Sequence, residues 1–357
     1  MNTRSFTSRR AQPAPIVLAT LLAAAGLAHA APVGYGAGTT GGGSKAAVNV
    51  STLAAMQSAI DAYNGSGGLV LNYTGTFNFA SVTDPCTQWK LAAQTLQIKD
   101  KSNITIKGAN GSSANFGIRI VSASNNIIVQ NMTIGLLRGG EAADSISIEG
   151  DSSGAPNKVW IDHNTIFSNN ISCPGAGDAS FDGAIDNKKG ATNITYSYNY
   201  IRDHQKVALN GHTDNDASND AMRVTYHHNR FENVSARLPL QRRGRTHIYN
   251  NYFNNVKTSG INVRMGGLSL IESNHFENVK NPVTSRDSPA IGYWDLRNNV
   301  VGTGITWDSP GSTGVNATTW ATTRAFGATG YAYTPTPVAQ VKAKVLATAG
   351  AGKNLAE

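Results

Sequence analysis

Seven times between residues 127 and 301 the chain repeats one phrase: several β-prone residues, then Asn, then another apolar residue two or three positions on. It reads IIVQNMTI, VWIDHNTIF, ITYSYNYI, VTYHHNRF, HIYNNYF, LIESNHF and WDLRNNV. The steps through Asn229, Asn251, Asn274 and Asn298 are 22, 23 and 24 residues; those through Asn131, Asn164, Asn199 and Asn229 are 33, 35 and 30. A near-constant period in the low twenties is what a solenoid of short strands requires, because one coil cannot bury its apolar face alone. Asn suits the corners, since it tolerates left-handed backbone and its amide can hydrogen-bond from coil to coil. The longer steps carry roughly ten extra residues each, which must leave the coil as loops and build one face. The repeat also accounts for the Asn-x-Ser/Thr triplets at Asn103, Asn131, Asn193 and Asn233.

The pattern therefore predicts an all-β fold: a right-handed, single-stranded parallel β-helix with long loops on one flank and short capping helices. Ser51 or Thr52 caps a helix reaching about Tyr63, with Leu53, Met56, Ile60 and Tyr63 on its apolar face. That helix covers the open end, where unpaired strand edges invite aggregation. Past Gly302 the repeat fades into sequence that folds back along the coils, and Val338 to Leu346 forms a last short helix.

Residues 1–30 read as a secretory leader: Arg4, Arg9 and Arg10, an apolar run from Ile16 to Leu27, and small residues at Ala28 and Ala30. The run is too short to span a bilayer, and no other stretch approaches a span. Residues 31–357 then form a single secreted domain, for which a monomer is expected. Losing three arginines lowers the formal charge from +8 to +5, an excess compatible with an anionic polymer. Cys86 and Cys173 form either one long-loop bridge or two buried thiols.

Three carboxylates stand out. Asp144 precedes the strand Ser145–Ile148, and Asp182 and Asp186 bracket a turn about two coils later. Stacked layers lie about 4.7–4.9 Å apart, so such carboxylates repel unless a cation joins them, and oxygen ligands of irregular geometry suit Ca²⁺. Taken singly, each reads more readily as an ordinary turn Asp. Downstream lie Lys206, Arg237, Arg242, Arg243, Arg245 and Arg264. Arg264 follows Arg242 by one coil, so the two should stack, and stacked cations need an anion. Nucleic acid is a poor candidate, because interleaved aromatics and recognition motifs are lacking. Asp162 and His163 read as a buried structural pair, with no nucleophile elbow to make a triad. His227 and His228 sit mid-strand with side chains on opposite faces, which is wrong for one metal.

Four phrases, Val159–His163, Asp182–Asp186, Ala236–Arg242 and Asn281–Arg286, resemble the pectate lyases of the polysaccharide lyase group that includes the secreted enzymes of soft-rot bacteria. The likeness runs from about Pro32 to Leu355. It implies cleavage of polygalacturonate by calcium-assisted β-elimination, with Asp144, Asp182 and Asp186 holding Ca²⁺ and Arg237 as the base. Lys188, Lys206, Arg242 and Arg264 become partners of substrate carboxylates, and Cys86 pairs with Cys173. The chain departs from the family at Ala142, where the pattern has a further acidic ligand, and it lacks a second cysteine pair. An arginine base needs positive neighbours that disfavour its charged form, which points to an alkaline optimum. The rival readings are a calcium-independent pectin lyase, a glycoside hydrolase with two carboxylates flanking the bond, and a β-helical binding surface without turnover.

Overall fold

A computed structural model of the chain describes residues 31–87, 94–137, 144–170, 173–174 and 181–353, with Met1 and Leu355. The expected leader segment 2–30 and the departure at Ala142 lie outside them. Strands stack into a ten-stranded first sheet, a nine-stranded second sheet and a seven-stranded third sheet among the described residues. Among these strands pairing is parallel except where Val315–Asn316 closes the second sheet antiparallel to Val283–Ser285. Each coil visits the first, third and second sheets in turn, giving a parallel β-helix with the right-handed crossover that twisted strands favour.

The core is built from the inward half of the alternation. In the first sheet Ile106, Val129, Ile161, Tyr196, Tyr226, Ile248 and Ile271 stand in register, all fully buried. In the third sheet Ile166, Ile201, Phe231, Phe253 and Phe276 do the same, and Phe253 stacks on Phe276 with ring centroids 4.7 Å apart.

A buried amide ladder joins the corner between these two sheets. Asn164, Asn199, Asn229, Asn251, Asn274 and Asn299 each pass a side-chain oxygen to the coil below, at 3.0–3.1 Å between amides. The last member is Asn299, one residue beyond the expected Asn298, and in the first coil Met132 takes the position that Asn131 was expected to hold. The left-handed backbone falls on the residue before the ladder amide: His163, Tyr198, His228, Asn250, Ser273 and Asn298 all have φ near +50°. The ladder Asn is there for its hydrogen bonds, and its predecessor makes the turn. This corner also corrects the reading of the histidine pair. The turn at His228 breaks strand alternation, so His227 and His228 meet at Nδ1 (3.0 Å) instead of pointing to opposite faces.

Helix α1, Leu53–Ala62, is capped by Thr52, whose hydroxyl accepts from the Ala55 amide at 3.1 Å. Met56 and Ile60 enter the main core, and Gln57 pairs with the backbone of Gln97 on the edge strand Thr95–Lys99. Helix α2, Val338–Thr348, lies on the third sheet, with Val341 and Val345 against Tyr252. The chain from Thr323 to Gly352, α2 included, runs back along the coils, with Thr323 bonded to Trp294, Thr336 to Asn250 and Gly352 to Asn131. No helix among the described residues is long and apolar enough to cross a membrane. Cys86 and Cys173 form a disulfide.

Candidate active site

In sequence, the long connections of the three long coils flank strands of the second sheet. Segments 136–145 and 168–184 lead into its strands Ile146–Glu149 and Ile185–Lys188, and segment 211–222 leaves Ala208–Asn210. Asp144 and Asp182 are set where the first two segments end, immediately before their strands. Asp186 is the second residue of its strand and faces outward, in register with Ser147 and Leu209. Beneath it the inward positions carry amides in place of aliphatics. Asn187 bonds Asn210 (2.6 Å), Asn210 bonds Gln241 (2.8 Å), and the Tyr196 and Tyr226 hydroxyls complete the network. These strands are thus tied from below by directional bonds.

The outward face holds a cavity of about 450 Å³ lined by Asp144, Asp182, Asp186, Lys188, Lys206 and Arg237, with Glu149, Arg119 and His212 at its border. Lys188 Nζ lies 2.7 Å from Asp144 and 3.3 Å from Asp186, and Lys206 Nζ lies 3.2 Å from Asp182. Burial and the neighbouring Asp186 raise the Asp144 carboxyl well above its ordinary range, more than Lys188 lowers it. Burial likewise raises Asp186. For Lys188, burial works against the charge, but Asp186 and Asp144 outweigh it and hold the ammonium above its usual value.

The oxygen-only donor set fits a hard divalent cation. Asp186 Oδ1 is buried without a hydrogen-bond partner. Gly183 leaves room for that carboxylate, since a Cβ there would lie 2.2 Å from the same oxygen. Among the described residues, however, no three acidic, His or Cys side chains converge closely enough to hold a metal ion on their own, so water and substrate oxygens must complete any coordination shell.

A second cavity, of about 350 Å³, shares Lys206 and Arg237 with the first and continues to Arg242, Arg264 and Arg286. Arg242 and Arg264 are direct register partners, as their spacing predicts. Arg242 is braced by Asp214 (2.7 Å) and the Gly211 carbonyl (3.0 Å). Arg264 contacts the exposed Asp287 at 3.4 Å, and burial with the adjacent Arg242 lowers its guanidinium to about 10. Arg237 stands where the two cavities meet, with left-handed backbone (φ +68°). No carboxylate lies within ion-pair distance of it among the described residues. Arg243 and Arg245 leave the group: the first turns to Asp220, the second to the ring of Phe326. Arg286 was legible only as part of a phrase, although the spacing from Arg242 to Arg264 recurs between Arg264 and Arg286. Glu149 carried no signal of its own.

A cavity of similar size on the outer face of the first sheet is lined by Trp160, Asp162, Ser197, His227 and His228. Its acid is already engaged, with Gln130, Ser197 and His163 all within 2.7 Å of the Asp162 oxygens. Asp162 and His163 are thus a buried, hydrogen-bonded pair, as expected from the sequence.

One groove thus gathers acids at one end and stacked guanidiniums at the other. A family model described as pectate lyase matches residues 11–354. The chain belongs to the pectate lyase family. Pectate lyase 3 of Pectobacterium carotovorum subsp. carotovorum is 45% identical, over 94% of this chain and 95% of that protein. The solved structure of pectate lyase II from Xanthomonas campestris pv. campestris is 69% identical, with TM-score 0.89, covering 91% of this chain and 100% of that one. Pectate lyase C from Erwinia chrysanthemi, solved at pH 9.5 with 30 mM Ca²⁺, is 40% identical, with TM-score 0.82 over 91% of this chain and 97% of its own. This pectate lyase therefore shares both the coil and the enzyme class of those relatives.

Proposed function

We propose that this pectate lyase is a single-domain secreted enzyme, residues 31–357 after loss of a leader. It cleaves α-1,4-linked polygalacturonate by calcium-assisted β-elimination. The observation that carries the reading is the guanidinium of Arg237, without an ion-pair partner among the described residues and set between three carboxylates and a stack of cations in one continuous groove. Asp144, Asp182 and Asp186 would hold the ion, which when bound supplies Lewis-acid stabilisation of charge on the sugar carboxylate.

The chain's own groups do the rest. Lys188, Lys206, Arg242 and Arg264 bind successive uronate carboxylates and fix the polymer along the second sheet. Arg237 accepts the C5 proton, the C5–H electron pair becomes the C4=C5 bond as C4–O4 breaks, and the departing O4 takes up a proton, leaving an unsaturated sugar end and two fragments that sum to the parent chain. Lys206 and Arg242 are preorganised to favour negative charge developing beside C5. No water is consumed. The cations at the groove's far end favour a free uronate over its methyl ester, which speaks for pectate as the substrate class.

The test is absorbance of the new C=C bond during digestion of polygalacturonate, with and without EDTA, for the parent chain and Arg237→Lys. Signal lost on chelation and on substitution supports the reading. Undiminished signal in chelator removes calcium from it, and undiminished signal in Arg237→Lys removes the base.

A further inference from the structure

We propose that Lys188 is a tethered counter-ion that competes with the divalent cation for Asp144 and Asp186, and that polymer binding releases it. Cation and polymer would then bind cooperatively. The proposal rests on the calcium-dependent reading above and assigns it a built-in order.

The side chain of Lys188 is only 14% exposed and its ammonium touches both carboxylates, at 2.7 and 3.3 Å. Lys206 satisfies the third, Asp182. Three carboxylates and two ammoniums leave this cluster one negative charge in excess. A divalent ion entering alone would turn that into an excess positive charge, with an ammonium already seated on two of its ligands. A uronate carboxylate entering alone would face three acids. Entering together, they exchange partners: the ion takes Asp144 and Asp186, and the uronate takes the ammonium.

The groove gives the ammonium somewhere to go. Lys188 belongs to an outward row in which Glu149 precedes it in register, and Glu149 is already engaged by Lys189 and Arg119. On the other side comes Gly211, which carries no side chain, and then Arg242 and Arg264. A four-carbon stem therefore lets Lys188 swing toward the polymer path and away from the acids. Linkage makes the effect reciprocal: whatever factor the polymer adds to cation affinity, the cation adds to polymer affinity.

Isothermal titration with calcium tests this in an Arg237→Lys background, where turnover does not consume the ligand. Titrations run with and without saturating pentagalacturonate, and the oligomer's own calcium binding is subtracted from a protein-free run. In the Lys188 chain the oligomer should tighten calcium binding by about tenfold or more. Lys188→Gln should bind calcium alone about tenfold more tightly than its parent and lose most of the coupling. Lys188→Arg, whose guanidinium can bridge both carboxylates, should bind calcium alone more weakly than the parent. The proposal is overturned if Lys188→Gln gains no affinity, or, should that variant not fold, if Lys188→Arg matches the parent. Absence of saturable calcium binding in every chain, oligomer present or not, would instead overturn the calcium reading and the exchange with it.

Discussion

Gly183→Ala would disable the acidic end of the groove without altering a single charge. A Cβ at Gly183 falls 2.2 Å from Asp186 Oδ1, 2.5 Å from its Cγ and 2.7 Å from Oδ2. Ordinary contact needs about 3.5 Å, so the carboxylate must retreat by about 1 Å. The atoms in the way are the tip of a side chain, and Gly183 does not have left-handed backbone. Folding should therefore tolerate the methyl group. Displacing one member of a catalytic constellation by about 1 Å costs on the order of 100-fold in rate. The assay pairs kcat/KM on polygalacturonate, measured across a calcium series, with a thermal melt. We expect a loss near that size, partly recovered at high calcium, with Tm within a few degrees of the parent. Activity within threefold of the parent, with the fold intact, would show that the Asp186 carboxylate need not stand where it does.

Asn251→Ala removes a fully buried ladder amide: Asn229 N loses its acceptor, Asn229 Nδ2 keeps only the Tyr196 carbonyl, and the Tyr226 carbonyl loses the Asn251 amide donor. At about 1–3 kcal/mol for the orphaned Asn229 N–H, with the lost amide bonds added, it should lower stability by about 2–4 kcal/mol, read from the denaturant midpoint. Asp144→Asn should abolish activity yet raise Tm. The folded-state pKa of Asp144 lies above the unfolded value, so its charge opposes folding at any pH above that folded-state pKa, and the penalty fades as pH falls through it; a lower Tm would contradict the sign. KM for polygalacturonate should climb as pH passes about 10, where Arg264 loses its charge, and Arg264→Ala should start from a raised KM and flatten that climb.

Much of the coil was legible because periodicity is a backbone property. The step from Arg242 to Arg264 is one coil, which sets their register, and Thr52 announced the cap of α1. The corner was legible only in part. Two adjacent asparagines, Asn298 and Asn299, both fit the phrase, and only the direction of the amide bonds separates the turn residue from the ladder residue. The inward amides Asn187, Asn210 and Gln241 escaped notice because polar residues at core positions break the alternation that marks a strand, so they look like loop. Glu149 and the Lys188 contacts were invisible for another reason. Which cation settles on which acid depends on side-chain reach across coils, and spacing along the chain does not report it. The fold of the histidine pair was missed because one residue of left-handed backbone at His228 reverses the face assignment that strand alternation supplies.

The most direct measurement of the central claim is the fate of water during cleavage. Polygalacturonate digested in heavy-oxygen water should yield unsaturated oligomers, each pair of fragments summing to the mass of its parent, with no label at the new ends. Fragments that carry heavy oxygen at the cut and together weigh one water more than the parent would mean hydrolysis, and the elimination chemistry assigned to Arg237 would be wrong.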